Sequence, residues 1–331
     1  MDSLSQIVLG AAVGEVVLGR KAGNKAMIYG AVAGTIPDLD VFVGNFYDTV
    51  TALEIHRGFS HSLVFSILAA PIFGVLVSRI HQQASWKDWS KLMFWALFTH
   101  PLLDCFTTWG TQLFWPLDLR IAAKSIFVID PLYTLPFLVC LIAASLYQRT
   151  SLKRRKLNRL GLFLSSSYLM VSLVMKGITF SKFENALEQQ NISYSEIETK
   201  PTPFNTLLWS ANVKRDDDFL IGEYSVFDTE PIAFRAYPKQ HQKIDHLRSY
   251  ENLNRLIAVT NGWYTITEKQ GELYLNDLRF GLVSLNPNAE KFAFSYHLKE
   301  KNNQLVITEV PKNTDDAKEL LEGLWSRLKG S

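Results

Sequence analysis

Long apolar segments fill the first 178 residues of this chain, and no segment of comparable length follows. A helix crosses a bilayer with about 20 mostly apolar residues, and about 17 suffice. The stronger segments are residues 63–80, 126–147 and 160–178. The weaker segments, which are shorter or contain polar side chains, are residues 5–18, 25–36 and 92–106. The pattern predicts an α-helical membrane bundle of about five or six transmembrane or re-entrant helices within residues 1–179.

The alternative is a water-soluble domain with unusually apolar helices, and the charges of the connecting segments argue against it. Cytoplasmic loops of membrane proteins are enriched in Lys and Arg. Alternate connections place twelve basic residues on one side of the predicted bundle and three on the other. The twelve are Arg20, Lys21, Lys25, Arg79, Lys87, Lys91, Arg149, Lys153, Arg154, Arg155, Lys156 and Arg159. We expect both termini, loops 37–62 and 107–125, and everything after residue 178 to lie outside the cytoplasm.

Composition excludes one class of partner and one class of site. The chain has 34 basic and 32 acidic residues, a balance that gives no electrostatic case for a nucleic-acid partner. Its two cysteines, Cys105 and Cys140, lie in apolar segments and are too few for a four-cysteine zinc site. The first ten residues lack the basic region of a secretory signal, so we expect them to be retained.

Four polar motifs fall on the predicted outer side, although none of them was used to assign that side. They are PDLD at 37–40, HRGFSHS at 56–62, His100 with Asp104, and Asp130. His100 and Asp104 are four residues apart, so on a helix they share a face and can bind one ion. Ionisable side chains at membrane depth are costly and usually belong to a functional site. The four motifs together predict a metal site that faces the outside of the cell.

The two loop motifs supply further candidate ligands. Asp38 and Asp40 follow a proline at a helix exit, where carboxylates can reach a cation or hold a histidine that binds it. His56 and His61 flank Gly58, which permits a tight bend that lets both imidazoles converge. Each motif alone also has a structural explanation, such as helix capping by Asp38.

The chemistry of these side chains indicates which metals they would bind. Mixed imidazole and carboxylate ligands suit zinc, manganese or iron rather than calcium or copper(I). We expect a divalent metal cofactor, with zinc as first choice, manganese or iron as alternatives, and room for one or two ions. A bound ion of this kind lowers the pKa of its water from near 15.7 to about 7, which allows hydrolysis without a protein nucleophile.

Three segments carry a resemblance to a known family. PDLD at 37–40, HRGFSHSL at 56–63 and THPLLDCFTTWGTQLFWP at 99–116 resemble the YdjM/YbcI-like family of membrane-bound metal-dependent hydrolases. The resemblance covers roughly the first 150 residues. It implies that the metal-binding and catalytic positions are Asp38, Asp40, His56, His61, His100 and Asp104. Members of this family commonly carry a histidine in the first helix, about where this chain has Gln6, so the full ligand count stays open.

These inferences combine into a predicted hydrolase of a bacterial cytoplasmic (inner) membrane, acting at its outer face. His56, His61, His100 and Asp104 are assigned as metal ligands, while Asp38 or Asp40 either ligates or acts as general base. Arg57 is assigned as a catalytic residue. The weaker candidates are Gln6, Asp130, Arg120 and Lys124.

The basic residues near the motifs point to a class of substrate. Arg57, Arg120 and Lys124 are the few cations on this side, and Trp109 and Trp115 lie in a segment suited to the membrane interface. A phosphoryl or acyl ester of a lipid would present its head group at this depth, where arginines stabilise oxygen charge. We therefore expect membrane lipid as a partner and a lipid-like substrate. The alternative is that these residues are ordinary interfacial anchors.

A non-enzymatic membrane protein is the rival function, with the His and Asp residues conducting protons or ions or holding a structural metal. Transporters often contain internal repeats. We find no repeat between the first three and last three predicted helices, which favours the enzyme.

Residues 180–331 have the pattern of an α+β domain outside the cytoplasm. Short alternating runs read as antiparallel strands, and residues 315–329 read as an amphipathic helix with an apolar stripe. The predicted strands are 219–227, 232–237, 263–267, 273–285, 292–298 and 305–310, and the stripe is Ala317, Leu320, Leu321, Leu324 and Leu328. A solvated helix explains His241 and His246 better than a ligand pair does. We expect this domain to cover the membrane site or to dock a partner.

Overall fold

The structure is a computed structural model that describes residues 1–283, 291–311 and 314–330. The chain forms two compact units. The first comprises Met1–Val43, Ile55–Val174 and Pro203–Asn205, and the second comprises Gly44–Glu54, Met175–Thr202 and Thr206–Ser331. A domain boundary at residues 179 and 180 stays a prediction.

Helices make up the first unit. They are α1 (Ser3–Ala22), α2 (Asn24–Thr35), α3 (Asp40–Gly44), α5 (Leu63–Ile80), α6 (Trp86–Asp104), α7 (Pro131–Ser145) and the first part of α8 (Leu152–Gln189), with 3₁₀ turns at Pro37–Leu39 and Phe59–His61. Among the described residues, four helices are long and apolar enough to cross a membrane: Ser3–Ala22, Asn24–Gly44, Leu63–Ile80 and Leu152–Gln189. The prediction of several apolar helices is confirmed. The number of spans stays a prediction.

Four helices differ in length from their predicted segments. α1 (Ser3–Ala22) is longer than the segment at 5–18, and α6 (Trp86–Asp104) begins six residues before the segment at 92–106. The segment predicted at 126–147 is helical only from Pro131, because Asp130 caps α7 through the amides of Leu132 and Tyr133 and a proline suits the first helical position. α8 begins before the segment predicted at 160–178 and ends after it. Its 38 residues correspond to about 57 Å at 1.5 Å per residue, well beyond a bilayer core.

α1 and α2 form a hairpin whose backbones nearly touch. A Cβ atom added at Gly10 would lie 2.3 Å from the carbonyl oxygen of Gly30, and one at Gly34 would lie 2.6 Å from that of Gln6. Small residues at helix interfaces in membranes permit such close packing. The hairpin therefore holds Gln6 and Gly34 side by side.

A buried ion pair joins α1 to α8. Arg154 donates from Nε to Glu15 Oε1 at 2.7 Å and from Nη1 to Asn24 Oδ1 at 2.6 Å. Both charged side chains are buried. Asn158 donates to the carbonyl of Ala12 one helical turn later. Arg154 thus fastens α8 to the hairpin, although its position in the sequence placed it among exposed basic loop residues.

The second unit contains two antiparallel sheets, each with its strands in sequence order. Its elements are β1 (Glu196–Pro201), β2 (Leu208–Lys214), β3 (Asp218–Ser225), β4 (Phe234–Pro238), α9 (Glu251–Val259), β5 (Tyr264–Lys269), β6 (Glu272–Leu282), β7 (Phe292–Lys301), β8 (Gln304–Glu309) and α10 (Thr314–Leu328). The predicted antiparallel α+β character is confirmed, but with two sheets rather than one. β1 and β2 were not predicted, because β2 is buried at nearly every position and shows no polar alternation.

The C-terminal helix and the segment with His241 and His246 both differ in detail from their predictions. α10 matches the helix predicted at 315–329, with Leu324 buried and Leu321 exposed, which corrects the predicted stripe. The side chains of Ala317 and Leu320, and residues 284 and 285 of the predicted strand at 273–285, lie outside the described residues. His241 and His246 lie on a 3₁₀ helix, His241–Leu247.

A short helix from the site-bearing part of the sequence belongs to the second unit. α4 (Thr49–Ile55) is capped by the preceding residue, Asp48, whose carboxylate accepts from the amides of Val50 and Thr51. The Thr51 hydroxyl also donates to Asp48 and helps to hold the pKa of that carboxyl below its ordinary value. Val50 packs in the same core as residues of α9, and Arg255 of α9 donates from Nε to Glu54 at 3.0 Å.

Candidate metal centre

Four side chains from separate parts of the first unit converge: Asp38, His61, His100 and Asp104. One ligand atom from each lies within 4.8 Å of every other, and the cluster could hold a metal ion. The side chains of His61, His100 and Asp104 are fully buried, whereas Asp38 is 23% exposed. Asp38 therefore faces the open side of the cluster.

Local sequence positions each of these residues. Pro37 has no amide hydrogen with which to continue the hydrogen bonds of α2, so the helix gives way to the 3₁₀ turn Pro37–Leu39, which carries Asp38. The turn Phe59–His61 carries His61 and ends at Ser62, whose hydroxyl accepts from the Phe65 amide and caps α5. His100 and Asp104 occupy the last turn of α6 on one face, as their spacing predicted.

The donor atoms are close to evenly spaced. The two imidazole Nε2 atoms of His61 and His100 are 3.1 Å apart. Asp38 Oδ1 lies 3.3 Å from His61 Nε2 and 3.4 Å from His100 Nε2. Asp104 Oδ2 lies 3.4 Å and 3.5 Å from the same two atoms. Two imidazoles and two carboxylates thus face one common point.

Hydrogen bonds on the far side of each ring fix which nitrogen carries the proton. His100 Nδ1 donates to the carbonyl of Gly34 at 2.6 Å, since a carbonyl can only accept. Ser60 Oγ gives its proton to Asp40, so it accepts from His61 Nδ1 at 2.9 Å. In their neutral forms both rings therefore direct an Nε2 lone pair toward the other. A cation between them satisfies both lone pairs, which is the arrangement of a metal-binding histidine with an oriented far nitrogen.

Two buried oxygens also fit a cation. Among the residues that the structure describes, neither Asp104 Oδ2 nor Gln6 Oε1 has a hydrogen-bond partner, although both atoms are buried. Buried polar atoms without partners are rare and call for an explanation such as an ion or water. The residues present therefore fit a bound metal.

Gln6 lies at this cluster, as the comparison with the family's histidine anticipated. Its Nε2 donates to Asp104 Oδ1 at 3.1 Å and to the carbonyl of His100 at 3.3 Å. The amide thus orients the Asp104 carboxylate. Whether Gln6 ligates stays a prediction.

Asp40 and His56 lie beside the four-residue cluster rather than in it. His56 Nδ1 donates to Asp40 Oδ1 at 3.1 Å, and the ring centroids of His56 and His61 are 6.3 Å apart. Asp40 Oδ2 accepts from the Arg57 amide at 2.8 Å and from Ser60 at 3.2 Å. The structure thus links Asp40 to the turn that carries His61.

Arg57 occupies the gap between this turn and α6. Its guanidinium is buried, with Nε 3.2 Å from Asp104 Oδ2 and Nη1 donating to Thr107 at 2.9 Å. The backbone of Arg57 has φ 57°, a left-handed conformation that residues other than glycine rarely adopt. Two hydrogen bonds hold this conformation. The Arg57 amide donates to the Asp40 carboxylate, and the Gln112 backbone amide donates to the Arg57 carbonyl.

The weaker candidates take other positions. Asp130 is the N-cap of α7 and accepts from the Tyr168 hydroxyl at 2.8 Å. Arg120 donates to the carbonyl of His56 at 3.0 Å and stacks on Trp109. Lys124 lies in the loop between α6 and α7 with φ 51°. Asp130 therefore has a structural role that accounts for its burial.

Hydroxyl and amide groups that support the site were not predicted. Ser60 bridges His61 to Asp40, Thr107 holds Arg57, and Thr111 donates to the carbonyl of His61. Nothing in their spacing distinguishes them from ordinary loop residues. Their roles follow from the folded loop alone.

Comparison with known proteins agrees with this architecture. A family model described as YdjM inner membrane protein matches residues 1–179, which include every residue of the cluster. No curated protein and no solved structure matches the chain. Because the matched region is more than half of its 331 residues, the chain belongs to the YdjM family of inner membrane proteins.

Proposed function

We propose that this protein is a membrane-bound metal-dependent hydrolase that cleaves a phosphoryl or acyl ester of an amphiphilic substrate. The observation that carries the proposal is the convergence of two imidazoles and two carboxylates, with both rings oriented by hydrogen bonds at their far nitrogens. A divalent ion held there would supply activated water and polarise the ester oxygen.

Zinc is the metal we propose. Ligands about 2.0–2.2 Å from a tetrahedral zinc ion lie roughly 3.3–3.6 Å from one another. Five of the donor pairs in the cluster lie 3.1–3.5 Å apart. Imidazole and carboxylate side chains at this spacing suit zinc, with manganese or iron as alternatives. A catalytic zinc ion keeps one position for water, so three of the four side chains would hold it during hydrolysis.

The protein's own groups have distinct proposed roles. The open side at Asp38 admits the substrate, and the buried Arg57 stabilises negative charge that develops on the ester oxygens. Its guanidinium is held in place before substrate arrives, because Asp104 and Thr107 fix it. Asp40 keeps the His61 turn in position.

Exposed apolar side chains near the site support an amphiphilic substrate. Phe59, next to the His61 turn, is exposed and contacts Trp115 with a ring-centroid distance of 5.0 Å. Phe114, Leu117 and Leu119 of the same loop are also exposed. Apolar loops of this kind insert at the membrane surface, where a lipid ester would meet the site.

We place the site and the C-terminal domain on the extracytoplasmic side. Residues Gly44–Glu54 follow the Asp38 turn in the sequence and belong to the same unit as the C-terminal residues, which supports this proposal. A cysteine in place of the exposed His246 is expected to react with an impermeant maleimide on intact cells, and Arg155→Cys only after permeabilisation. The wild type, whose two cysteines are buried, is the blank. The reverse labelling pattern would show that the side is wrongly assigned.

Turnover tests the hydrolase itself. Purified protein in detergent, loaded with zinc, is assayed on lipid phosphates and on fatty acyl esters in mixed micelles. We expect turnover that a chelator removes, that zinc restores and that His61→Ala lacks. The His246→Ala variant, altered at an exposed histidine of the other unit, should match the wild type. Zinc-loaded protein that cleaves neither class of ester would instead support a structural metal or an ion pathway.

A further inference from the structure

His56 differs from the histidines of the cluster in its partner and in its exposure. Its Nδ1 donates to Asp40 Oδ1, since an ionised carboxylate can only accept. The neutral ring therefore carries its lone pair on Nε2. The side chain is 29% exposed, whereas those of His61 and His100 are fully buried. His56 is thus a partly exposed imidazole beside the cluster, and with Nδ1 held by Asp40 its Nε2 is the nitrogen left for proton transfer.

Several contacts fix this ring in place. Asp40 is itself held by the Arg57 amide at 2.8 Å and by the Ser60 hydroxyl at 3.2 Å. Arg120 binds the backbone carbonyl of His56, and the Trp109 ring packs on the imidazole with a centroid distance of 5.7 Å. An imidazole oriented by a carboxylate at the opposite nitrogen is the arrangement used for proton transfer in enzymes.

We infer that His56 is the proton-transfer residue of the proposed hydrolysis and is not a metal ligand. This rests on the proposed function. His56 Nε2 takes a proton from the water whose oxygen attacks the phosphorus or carbonyl carbon. The bond from that atom to the leaving oxygen then breaks. In an acyl ester the same proton passes from Nε2 to the leaving oxygen. In a phosphoryl ester the leaving oxygen departs opposite the attacking one, so it takes a proton from solvent and Nε2 returns its proton to solvent. Water and ester become acid and alcohol, with no other reactant needed.

Asp40 is then a positioning residue. One of its oxygens orients His56, and the other holds the turn that carries His61. Because a carboxylate beside the imidazole also stabilises the ring when it is protonated, Asp40→Asn should weaken proton transfer more than metal binding. If Asp40 were a metal ligand, Asp40→Asn would weaken metal binding more than proton transfer.

The test compares metal content, chemical labelling and turnover in the full chain. Bound zinc is measured by elemental analysis for the wild type, His56→Ala and His61→Ala. We expect His56→Ala to keep the zinc of the wild type and lose about 10²- to 10⁴-fold in turnover, with partial rescue by added imidazole. His61→Ala should lose zinc and show no rescue.

Labelling gives a readout that does not depend on activity. Diethyl pyrocarbonate should modify the partly exposed His56 equally in apo and zinc-loaded wild type, whereas the buried His61 and His100 should react little in either form. Protection of His56 by zinc, or loss of zinc from His56→Ala, would make it a ligand and overturn the inference. Undiminished turnover in His56→Ala would also overturn it. Absence of turnover in the wild type overturns the proposed function first, and the role of His56 with it.

Discussion

Replacing His100 with alanine is expected to reduce bound zinc in the purified protein from one ion per chain to none. His100 supplies one of the two converging Nε2 atoms, and its loss leaves two carboxylates and one imidazole. Removing a residue that only orients a ligand typically costs 10- to 100-fold in affinity, so loss of a ligand should cost more than about 100-fold. Elemental analysis after zinc loading and gel filtration measures the result.

Two further variants separate metal binding from folding. Asp38→Asn alters the partly exposed ligand, so it perturbs the buried packing less than a change at His100 and should still lose most of the zinc. Ser60→Ala removes the partner of His61 Nδ1 and a hydrogen bond to Asp40, but no ligand atom, and should weaken binding by about 10- to 100-fold. His246→Ala is the matched histidine control. Stoichiometric zinc in both His100→Ala and Asp38→Asn would place the metal elsewhere.

Arg154→Met is expected to destabilise the membrane domain by about 3–5 kcal/mol, because it leaves Glu15 buried without its partner. The double variant Glu15→Met with Arg154→Met removes both charges and should recover most of that loss, since apolar replacements of buried ion pairs are often neutral or stabilising. Thermal unfolding of detergent-solubilised protein, followed by tryptophan fluorescence, measures both.

Arg159→Met is the control for this pair. Arg159 lies on the same helix five residues later and is exposed, so its replacement should shift the unfolding temperature little. Equal destabilisation by Arg159→Met and Arg154→Met would show that basic residues at this end of α8 act through the membrane surface. A double variant as unstable as Arg154→Met alone would show that the charge is not the cause.

Each Lys and Arg of the connecting segments was expected to be exposed. Arg154 is instead buried in an ion pair with Glu15. Sequence patterns identify that a basic residue is present between two apolar segments. They do not show that Glu15, 139 residues earlier, is its partner. The pairing depends on how α8 packs against the α1–α2 hairpin. Without Arg154 the asymmetry is still eleven basic residues against three.

In the C-terminal domain, too, the sequence pattern predicts most of the strands but not how they pair. Short apolar runs were enough to predict β3–β8 and α10, and β8 shows the alternation of buried and exposed residues that such a run predicts. β2 has nearly all its residues buried, so its pattern has no alternation to detect. The separation into two sheets depends on which strands pair, and pairing between distant strands is not encoded in local periodicity.

Local spacing along the chain was sufficient to find the long apolar helices, the shared face of His100 and Asp104, and the end of α2 before Pro37. These features depend on contacts within a few residues, which propensity and periodicity capture. The sequence and its family resemblance proposed six site positions as one group. The fold brings Asp38, His61, His100 and Asp104 together and sets Asp40 and His56 beside them as a hydrogen-bonded pair. That division depends on differences of a few ångströms between side chains from separate helices and turns, and those distances exist only once the hairpin, α6 and the two turns have packed.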